Sequence, residues 1–181
     1  MIEGKHILLC GERGVGKSTL IQRLLAENTR PVYGFYTKRL QADETGFHPI
    51  YLHPAGAAQR RYEEENLAGT CDSRIHKANL GAFNTLGAAS LRAEPNGLIV
   101  MDELGFLEAE AEAFTQAVFA ALRGDVPVIA AVKARFDVPF LNAVRACPKG
   151  EVYTVTTNNR DALYGQLLPF ILGWNRQQAR E

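Results

Sequence analysis

From Gly11 to Ser18 the chain reads Gly-Glu-Arg-Gly-Val-Gly-Lys-Ser, and that order of residue types suits the grip of a polyphosphate. Glycines let the backbone curl closely enough for successive N–H groups to face phosphate oxygens. A helix that begins at the lysine adds the partial positive charge of its N-terminus. In this pattern, the P-loop or Walker A sequence, the lysine reaches the β and γ phosphates and the serine offers its hydroxyl to magnesium. The expected phosphate contacts are Gly11, Glu12, Arg13, Gly14, Val15, Gly16, Lys17, Ser18 and Thr19, with the Arg13 side chain turned to solvent.

A second group of candidates ends the apolar run Leu98-Ile99-Val100-Met101. Asp102 and Glu103 follow it directly, which puts two carboxylates at the C-terminal end of a strand, where open α/β sheets hold their ligands. Asp102 is expected to hold magnesium opposite Ser18. Glu103 points to the other side of the strand end and is placed to take a proton from a water attacking the γ phosphate. Arg160, after the last strand expected, is a candidate cation near the γ phosphate or a plate over the base; its plainer reading is a surface arginine at a helix start. Lys133 and Arg135 carry the same ambiguity. The hairpin aromatics Tyr33, Phe35, Tyr36, Phe47 and Tyr51 read as packing. His48, His53 and His76 read as surface or loop residues without metal spacing.

These groups need a scaffold, and the hydrophobic pattern supplies one. His6 to Cys10 is a short buried strand, and Leu20, Ile21, Leu24 and Leu25 share one face of the helix after the loop. Val32 to Leu40 and Phe47 to His53 form an antiparallel hairpin across Asp43-Glu44-Thr45-Gly46, with Pro49 at an edge or beside a bulge. Leu98 to Met101 is a central strand covered on both faces. Leu107, Ala111, Phe114, Val118, Ala121 and Leu122 keep helical spacing, with Glu108, Glu110 and Glu112 in its first turns. Val126 to Val132 and Val152 to Thr156 are strands, Pro139 to Ala146 and Asp161 to Leu172 helices, and the tail from Asn175 frays. The fold class is therefore α/β: a mainly parallel sheet flanked by helices, with an antiparallel hairpin at one edge.

A length of 181 residues with 46% hydrophobic content suits one compact domain over 1–181. Twenty basic residues balance twenty acidic ones, so no net positive field favours nucleic acid. The start of the chain lacks the pattern of a signal peptide, no apolar run reaches the length of a membrane span, and the expected location is the cytoplasm. Cys10, Cys71 and Cys147 are scattered and read as reduced thiols. Asp102-Glu103-Leu104-Gly105 also fits the D-x-x-G pattern of GTPases. Asn158-Asn159-Arg160-Asp161, however, lacks the lysine of the guanine-reading N-K-x-D, which makes a guanine-specific switch a minor reading.

Taken in order, four segments resemble a known family: Gly14 to Leu20; Gly34-Phe35-Tyr36-Thr37 with Gly46-Phe47; Asp102 to Gly105 with Glu108; and Val155-Thr156-Thr157-Asn158-Asn159-Arg160-Asp161. The chain is similar to the small P-loop nucleoside-triphosphatases of the thermophile type, the family that includes the cancer-related nucleoside-triphosphatase. That resemblance implies a RecA-like domain that hydrolyses ATP, GTP and other nucleoside triphosphates slowly to diphosphate and phosphate, using magnesium and discriminating little between bases. Departures are visible. Thr37-Lys38-Arg39-Leu40 stands where family members commonly carry Thr-Glu-Glu-Val-Arg, which reverses the local charge. Ser18 replaces a threonine, Leu107 a methionine, and Gly69-Thr70-Cys71-Asp72 only faintly echoes the family's Gly-x-Tyr-x-Val-Asp. The rival readings are a nucleotide or small-molecule kinase, and a nucleotide-dependent switch acting through a protein partner.

Overall fold

In the computed structural model, which describes residues 6–72, 74 and 76–178, every residue of β1 (His6–Gly11) is buried. So is nearly all of β6 (Leu98–Leu104) and β7 (Val128–Lys133). Pleating sends alternate side chains to opposite faces of a sheet, so these runs feed two cores. Ile7, Leu9, Val100 and Ile129 enter one; Leu8, Met101, Ala130 and Val132 enter the other. Apolar residues on both faces require helices on both. α1 (Lys17–Leu25) and α6 (Arg160–Gln178) cover the first with Leu20, Ile21, Leu24, Leu167, Ile171 and Trp174. α4 (Glu112–Arg123) and α5 (Pro139–Arg145) cover the second with Phe114, Val118, Leu122, Leu141 and Val144.

The eight strands run in the order β5-β4-β3-β2-β6-β7-β1-β8. β2 (Val32–Arg39), β6, β7, β1 and β8 (Gly150–Thr154) are parallel. β7 therefore separates the phosphate-loop strand from the carboxylate strand, which is the RecA-like arrangement. Gly34, at φ 97°, lets β2 lie tightly on β6: a Cβ there would meet the Val100 carbonyl oxygen at 1.9 Å. From β2 the chain turns over Asp43–Gly46 into β3 (His48–Pro54), giving the expected hairpin. The antiparallel part continues through β4 (Leu67–Cys71) and β5 (His76–Ala78), which the sequence pattern does not announce. β3 is consequently an interior strand, and Pro49 is accommodated by a register shift at Ile50/Tyr51, the bulge rather than the edge.

A helical run that the hydrophobic pattern does not mark follows β5. It comprises α2 (Leu80–Ala82), a π-helical segment (Phe83–Gly87) and α3 (Ala88–Ser90). Its Phe83 ring packs tilted against Phe114, which also meets Phe35, with ring centroids 5.3 and 5.4 Å apart. β8 runs Gly150–Thr154 instead of Val152 to Thr156, β7 starts at Val128 instead of Val126, and two helix ends differ further from expectation. α4 starts only at Glu112, so Leu107, Glu108 and Glu110 precede it. α6 continues past Asn175 to Gln178, because the Asn175 amide donates to the Glu27 carbonyl and accepts the Thr29 N–H, so no fraying begins there.

Buried polar groups tie the elements at the sheet end remote from the loop. Arg30, between α1 and β2, donates from Nε to the Trp174 carbonyl at 2.9 Å and from Nη1 to the Gly97 carbonyl at 3.2 Å. His6 Nδ1 accepts the Val128 N–H at 3.2 Å, so Nε2 carries the proton and faces the Leu122 carbonyl at 3.0 Å. Among the described residues, no helix is long and apolar enough to cross a membrane.

Candidate active site

The C-terminal ends of β1, β7, β6 and β2 share one rim of the sheet, and along it runs a cleft of about 650 Å³. The loop from Gly11 to Ser18 forms one wall, with Gly14 at φ 81° and Gly16 at φ 100°. Both angles lie in the left-handed region that glycine alone enters freely. Lys17 is 5% exposed. Its Nζ donates to the carbonyls of Gly11 (2.7 Å) and Glu12 (2.9 Å) and stands 3.5 Å from the Glu103 carboxylate.

Ser18 Oγ donates to Asp102 Oδ1 at 2.9 Å, which joins the start of α1 to the end of β6 across the width of β7. Burial pushes the Asp102 carboxyl up to about 6; the Ser18 hydrogen bond opposes this, Glu103 adds to it and Lys17 opposes it. Glu103 lines the same cleft as Asp102 and lies between the ammonium groups of Lys17 and Lys133, the latter at 3.6 Å. Thr37, on β2, fixes this strand end: its hydroxyl donates to the Asp102 carbonyl and accepts the Glu103 N–H, both at 3.3 Å.

Two further groups emerge that residue types alone do not single out. Glu108 is 3% exposed and accepts the Gly105 N–H. Burial raises its carboxyl to about 7, against the pull of that hydrogen bond. The amide that a D-x-x-G switch would turn to the γ phosphate is thus already engaged. Phe106 carries Lys133 and Arg135 about its ring at 5.1 and 5.0 Å, and Arg135 is paired with Asp137. Arg160 is brought to the loop but does not line the cleft. It packs against Gly16, where an added Cβ would lie 2.6 Å from Nη1, and its Nε is buried without a hydrogen-bond partner among the described residues.

Of the histidines read as surface groups, His53 is instead 2% exposed. His48 Nδ1 contacts the Leu40 carbonyl, and His76 is exposed against Phe106. Among the described residues no group of three or more His, Cys, Asp or Glu converges as a metal cage. The Ser18 hydroxyl and Asp102 carboxylate, 2.9 Å apart, present two hard oxygens instead. That set suits magnesium, which binds through one or two carboxylates and keeps waters and substrate phosphates as its other ligands.

A phosphate loop, a carboxylate pair one strand away and a RecA-like sheet together define a P-loop nucleoside-triphosphatase. The chain belongs to the NTPase family, whose profile matches residues 6–168. It is 31% identical to nucleoside-triphosphatase THEP1 of Thermotoga maritima over 94% of this chain and 97% of that one. It is 28% identical to the mouse (Mus musculus) cancer-related nucleoside-triphosphatase homolog over 92% of this chain and 96% of that one. The crystal structure of THEP1 from Aquifex aeolicus superposes with a TM-score of 0.70 at 22% identity, covering 92% of this chain and 98% of that one, and so shares the fold.

Proposed function

We propose that this enzyme hydrolyses ATP, GTP and other nucleoside triphosphates to the diphosphate and phosphate, with low base specificity and with magnesium as cofactor. The observation that carries the reading is the setting of Glu103, a carboxylate beside the Lys17 ammonium and next in sequence to the Asp102–Ser18 pair. Phosphoryl transfer asks the protein for positioning and charge. Backbone N–H groups of the loop and Lys17 hold the β and γ phosphates. Ser18 and Asp102 would hold magnesium, which when bound neutralises charge on the β and γ oxygens. Glu103 orients a water and takes its proton. The water oxygen bonds to the γ phosphorus, the bond from that phosphorus to the β–γ bridging oxygen breaks, and the bridging oxygen leaves on the diphosphate. Arg160, backed against Gly16, adds positive charge behind the phosphates. Low base specificity is supported by Asn158-Asn159-Arg160-Asp161, which offers no lysine to pair with a guanine-reading aspartate.

Glu103→Gln tests the assignment. The variant is expected to bind nucleotide and magnesium nearly as the wild type does and to turn over about 100-fold or more slowly in single-turnover measurements with excess enzyme. Triphosphate consumption that requires an added acceptor and ignores Glu103→Gln would instead establish a kinase.

A further inference from the structure

The cleft runs on past the place where a triphosphate ends. A γ phosphate held by Lys17 and Ser18 stops beside the carboxylates of β6, whereas the walls continue to Ile50 of β3, Cys71 of β4 and His76 of β5. With about 4.8 Å between neighbouring strands, those strands lie roughly 10, 14 and 19 Å from β6. Arg39, the last residue of β2, stands on this stretch. Its guanidinium has no hydrogen-bond or ion-pair partner among the described residues, and its Nε is buried without an acceptor. The other cations of the cleft walls beyond the loop are engaged internally: Lys133 faces Glu103 and Arg135 is paired with Asp137. Asp72, on the same far wall, has a partner of its own. Beside Arg39 the wall is formed by Ile50 and Cys71, with His76 exposed at the mouth, its ring edge-on to Phe106 with centroids 4.9 Å apart.

An unpaired buried guanidinium N–H is costly, and its planar fork matches an oxyanion. We propose that the far half of the cleft is a second ligand site, separate from the triphosphate, for a small organic oxyanion: a carboxylate or a phosphate monoester on an apolar body. Arg39 binds the oxyanion, Ile50 and Cys71 take the apolar body, and the bound molecule faces the γ end of the nucleotide. The site goes beyond hydrolysis, since it brings a second molecule to the reacting phosphate.

The test uses the full chain loaded with magnesium and a non-hydrolysable triphosphate analogue, so that the phosphate loop is filled and its occupancy is measured first. Phenyl phosphate and benzoate, which share a ring and differ in head group, are then titrated calorimetrically. At least one is expected to bind saturably, one per chain, with affinity reduced tenfold or more in Arg39→Gln and in His76→Glu. Analogue affinity and basal phosphate release stay within twofold of the wild type in both variants. Tighter phenyl phosphate identifies a monoester site, tighter benzoate a carboxylate site. Absence of saturable binding by either probe, or binding unchanged in both variants, overturns the proposal. So does slowed phosphate release in folded Arg39→Gln, which would make Arg39 a partner of the γ phosphate itself. Circular dichroism checks the fold of each variant, and His76→Glu, at an exposed position, carries the test should Arg39→Gln not fold. A chain that binds no analogue fails the hydrolase reading instead, and the probes are then titrated against the bare protein with the same criteria.

Discussion

Lys17 is a nearly buried ammonium whose charge is met by two loop carbonyls and Glu103, not by the apolar core. Removing it therefore costs ligand more than fold. Lys17→Ala is expected to weaken triphosphate binding about 100-fold, roughly the loss of one or two charge-assisted hydrogen bonds. Its thermal midpoint should stay within a few degrees of the wild type; calorimetric titration and a thermal melt read the two quantities. The loop, Asp102 and Glu103 were legible in the sequence because each sits beside a strand whose apolar run marks where it ends. Glu108 was not. Its spacing from Leu107 and Ala111 continues a helical pattern, and only the late start of α4 turns that carboxylate inward to Gly105.

At the scale of elements, α6 links the two ends of the molecule, with Arg160 against the phosphate loop at its start and Trp174 in the core near its end. Trp174 is 3% exposed, and its carbonyl accepts from Arg30. Trp174→Ala is expected to destabilise the protein by about 3–5 kcal/mol, as other large-to-small changes at packed aromatic sites do. Urea unfolding followed by far-UV circular dichroism measures it, since the variant has lost the one tryptophan. The parallel strands and their helices could be read from hydrophobic period because both faces of the sheet are covered. β4 and β5 escaped that reading for the opposite reason. Leu67-Ala68-Gly69-Thr70-Cys71 is short and small-residued, and all three residues of β5 are exposed, so what defines them is pairing with β3, not pattern. The far wall of the cleft, and with it the setting of Arg39, was hidden by the same omission. That the helix does not fray at Asn175 is invisible in sequence because its side-chain partners, Glu27 and Thr29, lie almost the whole chain away.

For the whole molecule, buried titratable groups set opposing demands on pH. Burial holds His6 below its ordinary 6.5, and His53 likewise. The unfolded chain takes up those protons first, so the stability they contribute is present above about 6.5 and is lost as pH falls. Asp102 and Glu108 are raised to about 6 and about 7 from 3.8 and 4.5. Their contribution is complete below the unfolded values and disappears as pH rises through about 6 and about 7. The share of these two carboxylates in the stability of the nucleotide-free protein should accordingly decline from about pH 4 to 7, and Glu108→Gln should remove up to roughly 3 kcal/mol of that decline, as read by urea unfolding across the range. The Arg30 clasp has a mechanical consequence at this same scale. By stitching the α1–β2 connection, the approach to β6 and the last turns of α6 together at the foot of the sheet, it makes the body a vice with a fixed jaw-root. Any adjustment to an arriving nucleotide is therefore expected at the rim, which this clasp does not reach, and not in the frame that it ties together.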